Sequence, residues 1–141
     1  MAFDQNQDQV ETILTSLKPD FVFFDLSHWM PALAHQLGSK AIYYSIISGV
    51  SLATICKKVT KDMTNEELLQ PPPGYPCLPE LQINKEFEIA QLKGIVEDMG
   101  TGMSLYLRTI TGMTESDAMA FRTYNELEGP YCDYIYKVAL R

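Results

Sequence analysis

The sequence predicts an α/β fold built on a parallel sheet, and three features predict it. Phe21-Val22-Phe23-Phe24 is an uninterrupted apolar run, the pattern of a strand covered on both faces. A second strand, Ala41 to Ile46, begins about twenty residues later, the length of a right-handed strand-helix-strand crossover. Between them a short helical pattern ends at Gly38, a residue suited to the left-handed position after a helix.

The elements follow in order. Val10, Ile13, Leu14 and Leu17 repeat at helical spacing, and Lys18-Pro19-Asp20 breaks that helix before the first strand. Ser27 reads as the cap of the next helix, with Pro31 in its first turn. After the second strand, Ser48-Gly49 opens a helix expected to run to about Lys58. Thr64 to Pro79 reads as a surface loop, because Pro71-Pro72-Pro73-Gly74-Tyr75-Pro76 has no regular structure open to it. Helices are expected over Glu86 to Met99 and Met103 to Met113, and a third strand over Ala118 to Thr123. Asn125 and Glu128 are placed as a capping box for a last helix, which carries Gly129-Pro130 near its start. Three strands of the buried type, with no evident cover for the sheet edges, read as an incomplete excerpt of a larger α/β protein, prone to self-association through an exposed edge.

Composition narrows the function. The 141 residues are 46% hydrophobic, enough for a core, and the net charge of -7 with scattered Lys and Arg argues against nucleic acid as a partner. No apolar run approaches the roughly 18 residues of a transmembrane segment, and the first ten residues are too polar for a secretory signal, so a cytoplasmic chain is expected. Cys56, Cys77 and Cys132 are far apart and in no Cys-x-x-Cys pair; they read as reduced thiols packed as small hydrophobes.

Ligands of open α/β sheets sit beyond the carboxyl ends of the strands, where Asp25 lies. Asp25 reads either as a functional carboxylate or as a cap for the helix beginning near Trp29. His28 lies beside it at the mouth of the sheet, as a pocket residue or a packed one. Asp25, His28 and His35 also permit a metal-site reading on spacing alone, against which His35 reads as a surface or helix-packing residue. No Gly-x-Ser-x-Gly elbow surrounds Ser45, Ser48 or Ser51, and Gly94, Gly100, Gly102 and Gly112 lack phosphate-cradle spacing. No resident cofactor or metal is called for. The Met and Tyr residues, among them Met99, Met103, Met113, Tyr106, Tyr134 and Tyr136, read as core or pocket lining.

The segment from Leu17 to Pro31, LKPDFVFFDLSHWMP, followed by Ala41-Ile-Tyr-Tyr-Ser-Ile-Ile-Ser, resembles the middle of the N-terminal domain of plant family 1 UDP-glycosyltransferases. Pro71 to Pro76 and Ser116 to Ile135 resemble the branch that extends the sugar of flavonoid and anthocyanin glycosides. The resemblance implies a part of a Rossmann-like domain of the GT-B fold, with residues 1–141 as a partial acceptor-binding domain and no C-terminal domain for the UDP-sugar. It implies inverting hexosyl or pentosyl transfer from a UDP-sugar co-substrate to a flavonoid-type hydroxyl, by a longer enzyme of which this chain alone is inactive. In that scheme Asp25 matches the aspartate that hydrogen-bonds the catalytic histidine, whereas neither His28 nor His35 matches the histidine itself. Ser27 and His28 fall where the family lines its acceptor pocket. Ser48 lies close to a hydroxyl residue that reaches the transferred sugar, with Ile47 as the other equivalent. The Trp-rich and His-rich box that grips UDP has no counterpart, and Trp29 is the single tryptophan. Two other readings stand beside this one: a non-enzymatic α/β module binding a small molecule or a partner, and a metal-dependent hydrolase on Asp25, His28 and His35.

Overall fold

A computed structural model describes residues 2–76, 84–98, 100 and 102–139. Helices α1 (Ala2–Gln5) and α2 (Gln7–Leu17) precede β1 (Phe21–Phe24), and Lys18, at φ 48°, turns the chain between them. Helix α3 (Met30–Gln36) crosses to β2 (Lys40–Ser45), with Gly38 at φ 79° in the connection. There follow α4 (Gly49–Ile55), α5 (Asn65–Leu69), α6 (Lys85–Val96), α7 (Leu105–Glu115), β3 (Ala118–Phe121) and α8 (Asn125–Ala139). The three strands form one parallel sheet in the order β1-β2-β3, with Phe24 opposite Tyr43 and Tyr43 opposite Met119. The α/β class and the parallel pairing expected from the sequence are both present.

Coverage of the sheet is where expectation and structure part. Val22, Phe24, Ala41 and Tyr43 are buried on one face against Met30 and Ala34 of α3, Leu52 and Ala53 of α4, Met113 of α7, and Tyr131, Tyr134 and Ile135 of α8. On the other face Phe21 is 59% and Phe23 65% exposed. The strand is therefore covered on one face among the described residues, not two. An unbroken apolar run records a strand's tendency to be buried and carries no information on which neighbours are at hand to bury it. Helix α2 contributes little cover: Val10 and Leu14 rest against the core, whereas Ile13 and Leu17 are exposed.

Three local expectations change. Asn65–Leu69, within the expected loop, is a helix held by a capping box in which Thr64 accepts from the Glu67 amide and Glu67 from the Thr64 amide. No side chain caps α3: Trp29 holds the cap position, and Ser27 contributes only its carbonyl, 2.8 Å from the Met30 amide. Neither Ser27 nor Asp25 caps that helix. Asn125 and Glu128 form no capping box, because both lie within α8 and the Glu128 carboxylate reaches across to α4. Cys56 is buried and Cys132 half-buried, both as free thiols; Cys77 and Met99 lie outside the described residues.

A second cluster, Val59, Leu68, Leu92 and Val96, joins α5 to α6. Burying each such aliphatic side chain contributes about 1.5–3 kcal/mol, which holds α5 and α6 together. Helix α7 approaches the sheet closely at Gly112, where an added Cβ would lie 3.1 Å from the Tyr43 ring and 3.3 Å from Phe24.

Candidate functional site

Asp25 stands immediately after β1, at the carboxyl edge of the sheet, half-buried. Burial raises its carboxyl above the ordinary range, and a hydrogen bond from the Tyr43 hydroxyl pulls it part of the way back. Tyr43 is 2% exposed; burial first, then Asp25, raise its phenol, while a hydrogen bond with Thr109 opposes them. Tyr43 also meets Phe24 edge-on, with ring centroids 5.7 Å apart.

Two cavities flank this region. The larger, about 790 Å³, lies between α4 and α6 and reaches the first residues of α7 and α8. Its walls are mainly apolar, with Val50, Ile55, Leu92 and Ile95, and it carries Ser48, Thr54 and Glu88 as polar points. The Thr54 and Tyr75 hydroxyls are 2.9 Å apart, and Glu88 is held 2.8 Å from the buried Lys57 ammonium. Ser48 has a structural task as well: it caps α4 by accepting from the Ser51 amide. Glu128 accepts from the Gly49 and Val50 amides and from the Thr123 hydroxyl. Burial pushes its carboxyl up, and these three donors outweigh that, leaving it below the ordinary range. A fixed anion at the positive end of α4 joins α8 to the cavity rim.

The smaller cavity, about 510 Å³, is walled by His28, Trp29, Asp4, Gly100, Gly102 and Arg108 among others. Arg108, 1% exposed, grips Asp4 with both terminal nitrogens at 2.8 and 2.6 Å, and one of them lies 3.2 Å from His28 Nδ1. The Arg108 hydrogen bond is the first cause that holds Asp4 down at about 2. Burial and then the guanidinium lower His28. A guanidinium only donates, so Nδ1 accepts and the neutral ring carries its proton on Nε2. Asp98 ties the two cavities together: it lines the larger one, while its carboxylate accepts from the Gly100 and Gly102 amides that wall the smaller.

The four residues singled out from sequence are therefore dispersed. Ser48 borders the larger cavity and His28 the smaller, while Asp25 and Ser27 line neither. His35 Nε2 is 2.8 Å from Asp117, which also accepts from Lys40 and the Ala41 amide. The Asp25–His28–His35 metal grouping is overturned, since each histidine has another partner and no three His, Cys, Asp or Glu side chains gather among the described residues. Sequence reading passed over Tyr43 and Arg108, and gave Glu128 a local cap in place of its contact with α4. Arg108 left a signal: buried Arg108, Thr109, Gly112 and Met113 share one helical stripe, where a lone arginine demands a partner.

No family model matches the chain. It is 40% identical to UDP-glycosyltransferase 79B30 of Glycine max over 141 residues, covering 96% of this chain and 30% of that protein. It is 34% identical to an anthocyanidin 3-O-glucoside 2''-O-glucosyltransferase of Ipomoea nil, over 95% of this chain and 30% of the relative. The chain is similar to plant UDP-glycosyltransferases. It spans about 30% of the length of these curated relatives. A crystal structure of Glycyrrhiza uralensis UGT73P12, complexed with glycyrrhetinic acid 3-O-monoglucuronide, overlays with a TM-score of 0.57 at 17% identity, covering 96% of this chain and 28% of that one. The fold is thus that of part of a glycosyltransferase of the GT-B kind, in keeping with the Rossmann-like parallel sheet. Among the described residues, no helix of this glycosyltransferase-like chain is long and apolar enough to cross a membrane.

Proposed function

We propose that residues 1–141 supply the acceptor side of a UDP-sugar-dependent glycosyltransferase, with Asp25 as the carboxylate that serves the catalytic histidine. The observation that carries this reading is the place of Asp25: half-buried at the carboxyl edge of a parallel sheet and capping no helix. In inverting transfer the acceptor hydroxyl attacks the anomeric carbon, the bond to UDP breaks, and the hydroxyl proton passes to the histidine. A carboxylate on the far imidazole nitrogen fixes the tautomer and stabilises the imidazolium. Neither His28, committed to Arg108, nor His35, committed to Asp117, takes that role. The histidine and the elements that hold the UDP-sugar belong to further sequence.

The acceptor is of the flavonoid type, in line with the anthocyanidin glucoside named for the Ipomoea nil relative, and the apolar cavity beside Ser48 has the size and character for such a ring system. Ser27 and His28 join Ser48 as acceptor contacts once the remaining domain is in place. The setting is cytoplasmic, and the chain alone turns over no sugar and self-associates through its uncovered sheet.

The test grafts this chain in place of the matching segment of the Glycine max relative. Asp25→Asn lowers kcat by about 10²- to 10⁴-fold, while KM for the UDP-sugar stays within a few-fold. Unchanged kcat removes Asp25 from the chemistry, and robust turnover by the 141-residue chain alone contradicts the division of labour.

A further inference from the structure

On the reading that the larger cavity takes the acceptor, its polar points decide which acceptor it takes. They lie at two ends. Ser48 caps α4 at one end, beside Glu128, and Thr54 stands six residues further on, about 9 Å along the axis at the rise of an α-helix. The rest of the lining is mainly apolar, with Val50, Ile55, Leu92 and Ile95. At the Ser48 end the hydrogen-bonding groups are already engaged. Glu128 accepts from the Gly49 and Val50 amides and the Thr123 hydroxyl, while Ser48 accepts from the Ser51 amide and donates to the Ser51 hydroxyl. At the far end the Thr54 hydroxyl donates to the Val50 carbonyl at 3.0 Å, so in its 2.9 Å contact with Tyr75 the phenol is the donor. Glu88 differs from these, because it lines the cavity with one carboxylate oxygen to spare.

The Glu88 side chain is fixed by a chain of contacts. Its Oε1 accepts from the buried Lys57 ammonium at 2.8 Å, and that ammonium lies 5.2 Å from the centroid of the Tyr75 ring. Tyr75 is itself held edge-on by Tyr131 and Tyr134, with centroids 5.7 and 5.4 Å away. No described residue hydrogen-bonds Oε2. We propose that Glu88, held by Lys57, is a specificity-determining residue that takes a hydroxyl on the ligand's ring system, at the end remote from Ser48. A carboxylate accepts and does not donate, so the group it selects must bring a proton. The ligand class is therefore a flat apolar molecule with a free hydroxyl at that end. A methyl ether on the same oxygen brings no proton, and it covers Oε2 without replacing the water it displaces.

The probes are 4′-hydroxyflavone and its methyl ether, 4′-methoxyflavone, and their binding to the 141-residue chain is measured by isothermal titration calorimetry. The parent chain is expected to bind the hydroxyflavone roughly 10- to 100-fold more tightly, the span of one hydrogen bond to a charged group. Lys57→Met combined with Glu88→Leu replaces the ion pair by apolar side chains, an exchange that buried pairs tolerate better than the loss of one partner. It should abolish the preference. The ratio of the two affinities is the readout, because a merely loosened wall would weaken both ligands alike. Equal affinities in the parent chain, or no binding of either ligand, overturn the inference, as does a preference that survives in the double variant. Should the double variant fail to fold, Glu88→Gln decides. Its amide donates as well as accepts, so the preference must narrow, and an unchanged ratio overturns the inference. In the grafted enzyme 4′-hydroxyflavone should compete with the flavonoid acceptor. If it does not compete while the binding ratio behaves as expected, the hydroxyl site stands and the placing of the acceptor in this cavity is what fails.

Discussion

Replacing Gly112 by alanine sets two effects of known sign against each other. Gly112 lies inside α7, where alanine is favoured over glycine by about 0.8–1 kcal/mol through helix propensity. The new Cβ, however, would sit 3.1 and 3.2 Å from two ring carbons of Tyr43 and 3.3 Å from a ring carbon of Phe24. Neither ring has room to retreat, since Tyr43 is 2% and Phe24 6% exposed and each packs on the other. Overpacking of this kind costs about 1–3 kcal/mol. Taking about 2 kcal/mol for the clash and about 1 kcal/mol for propensity, Gly112→Ala should destabilise the chain by about 1 kcal/mol, a fall of roughly 4 °C in Tm. Gly94 is the internal control. It also lies inside a helix, α6, with nothing within 4 Å of an added Cβ, so Gly94→Ala should stabilise by about 0.5–1 kcal/mol. Urea unfolding followed by circular dichroism measures both. If Gly112→Ala is as stable as the parent chain, α7 does not lie tightly on β2 and the seating of Tyr43 described above is wrong.

The acid limb of stability should involve Asp4. Its folded carboxyl is held at about 2, first by the Arg108 hydrogen bond, against an ordinary 3.8, so the stability it contributes is complete above about 4 and lost as pH falls toward 2. Asp4→Asn should flatten that part of a stability-against-pH curve, and an unchanged slope would show that the pair is absent in solution. The face bearing Phe21 and Phe23 should drive concentration-dependent association of the isolated chain, which light scattering detects and Phe23→Lys suppresses; a monodisperse parent chain at high concentration would count against it.

What the sequence disclosed follows the range of the interactions involved. The strands, the crossover helix and the left-handed Gly38 are local in origin, set by apolar runs and by backbone freedom, and they are present as expected. Helix α5 was equally local, written in Thr64 and Glu67, but the neighbouring prolines drew the whole stretch into a loop. Asn125 and Glu128 show the reverse error. Their spacing is that of a capping box, yet the α4 N-terminus offers Glu128 two amides, and a contact across 79 residues prevails over one across three. The uncovered face of β1 depends on which chain lies beside it, and the composition of β1 has no bearing on that.

The same distinction explains the candidate site. The position of Asp25 was legible, though not its role, because the end of a parallel strand is a place defined by local sequence and by fold class together. The two histidines were ambiguous because the state of an imidazole is fixed by partners remote in sequence. Arg108 lies 80 residues from His28, and Asp117 lies 82 from His35. Once these partners are known, the roles separate on chemistry alone. His35 shares Asp117 with Lys40 at the surface, away from both cavities. His28 is held neutral, accepting at Nδ1 and able to donate at Nε2 into the smaller cavity. A base must have a free lone pair for the acceptor proton, and in this tautomer the single lone pair of His28 is already directed at a guanidinium. His28 is thereby a hydrogen-bond donor for whatever enters that cavity, which leaves Asp25, a half-buried acceptor at the carboxyl edge of the sheet, as the carboxylate we propose to serve a catalytic base.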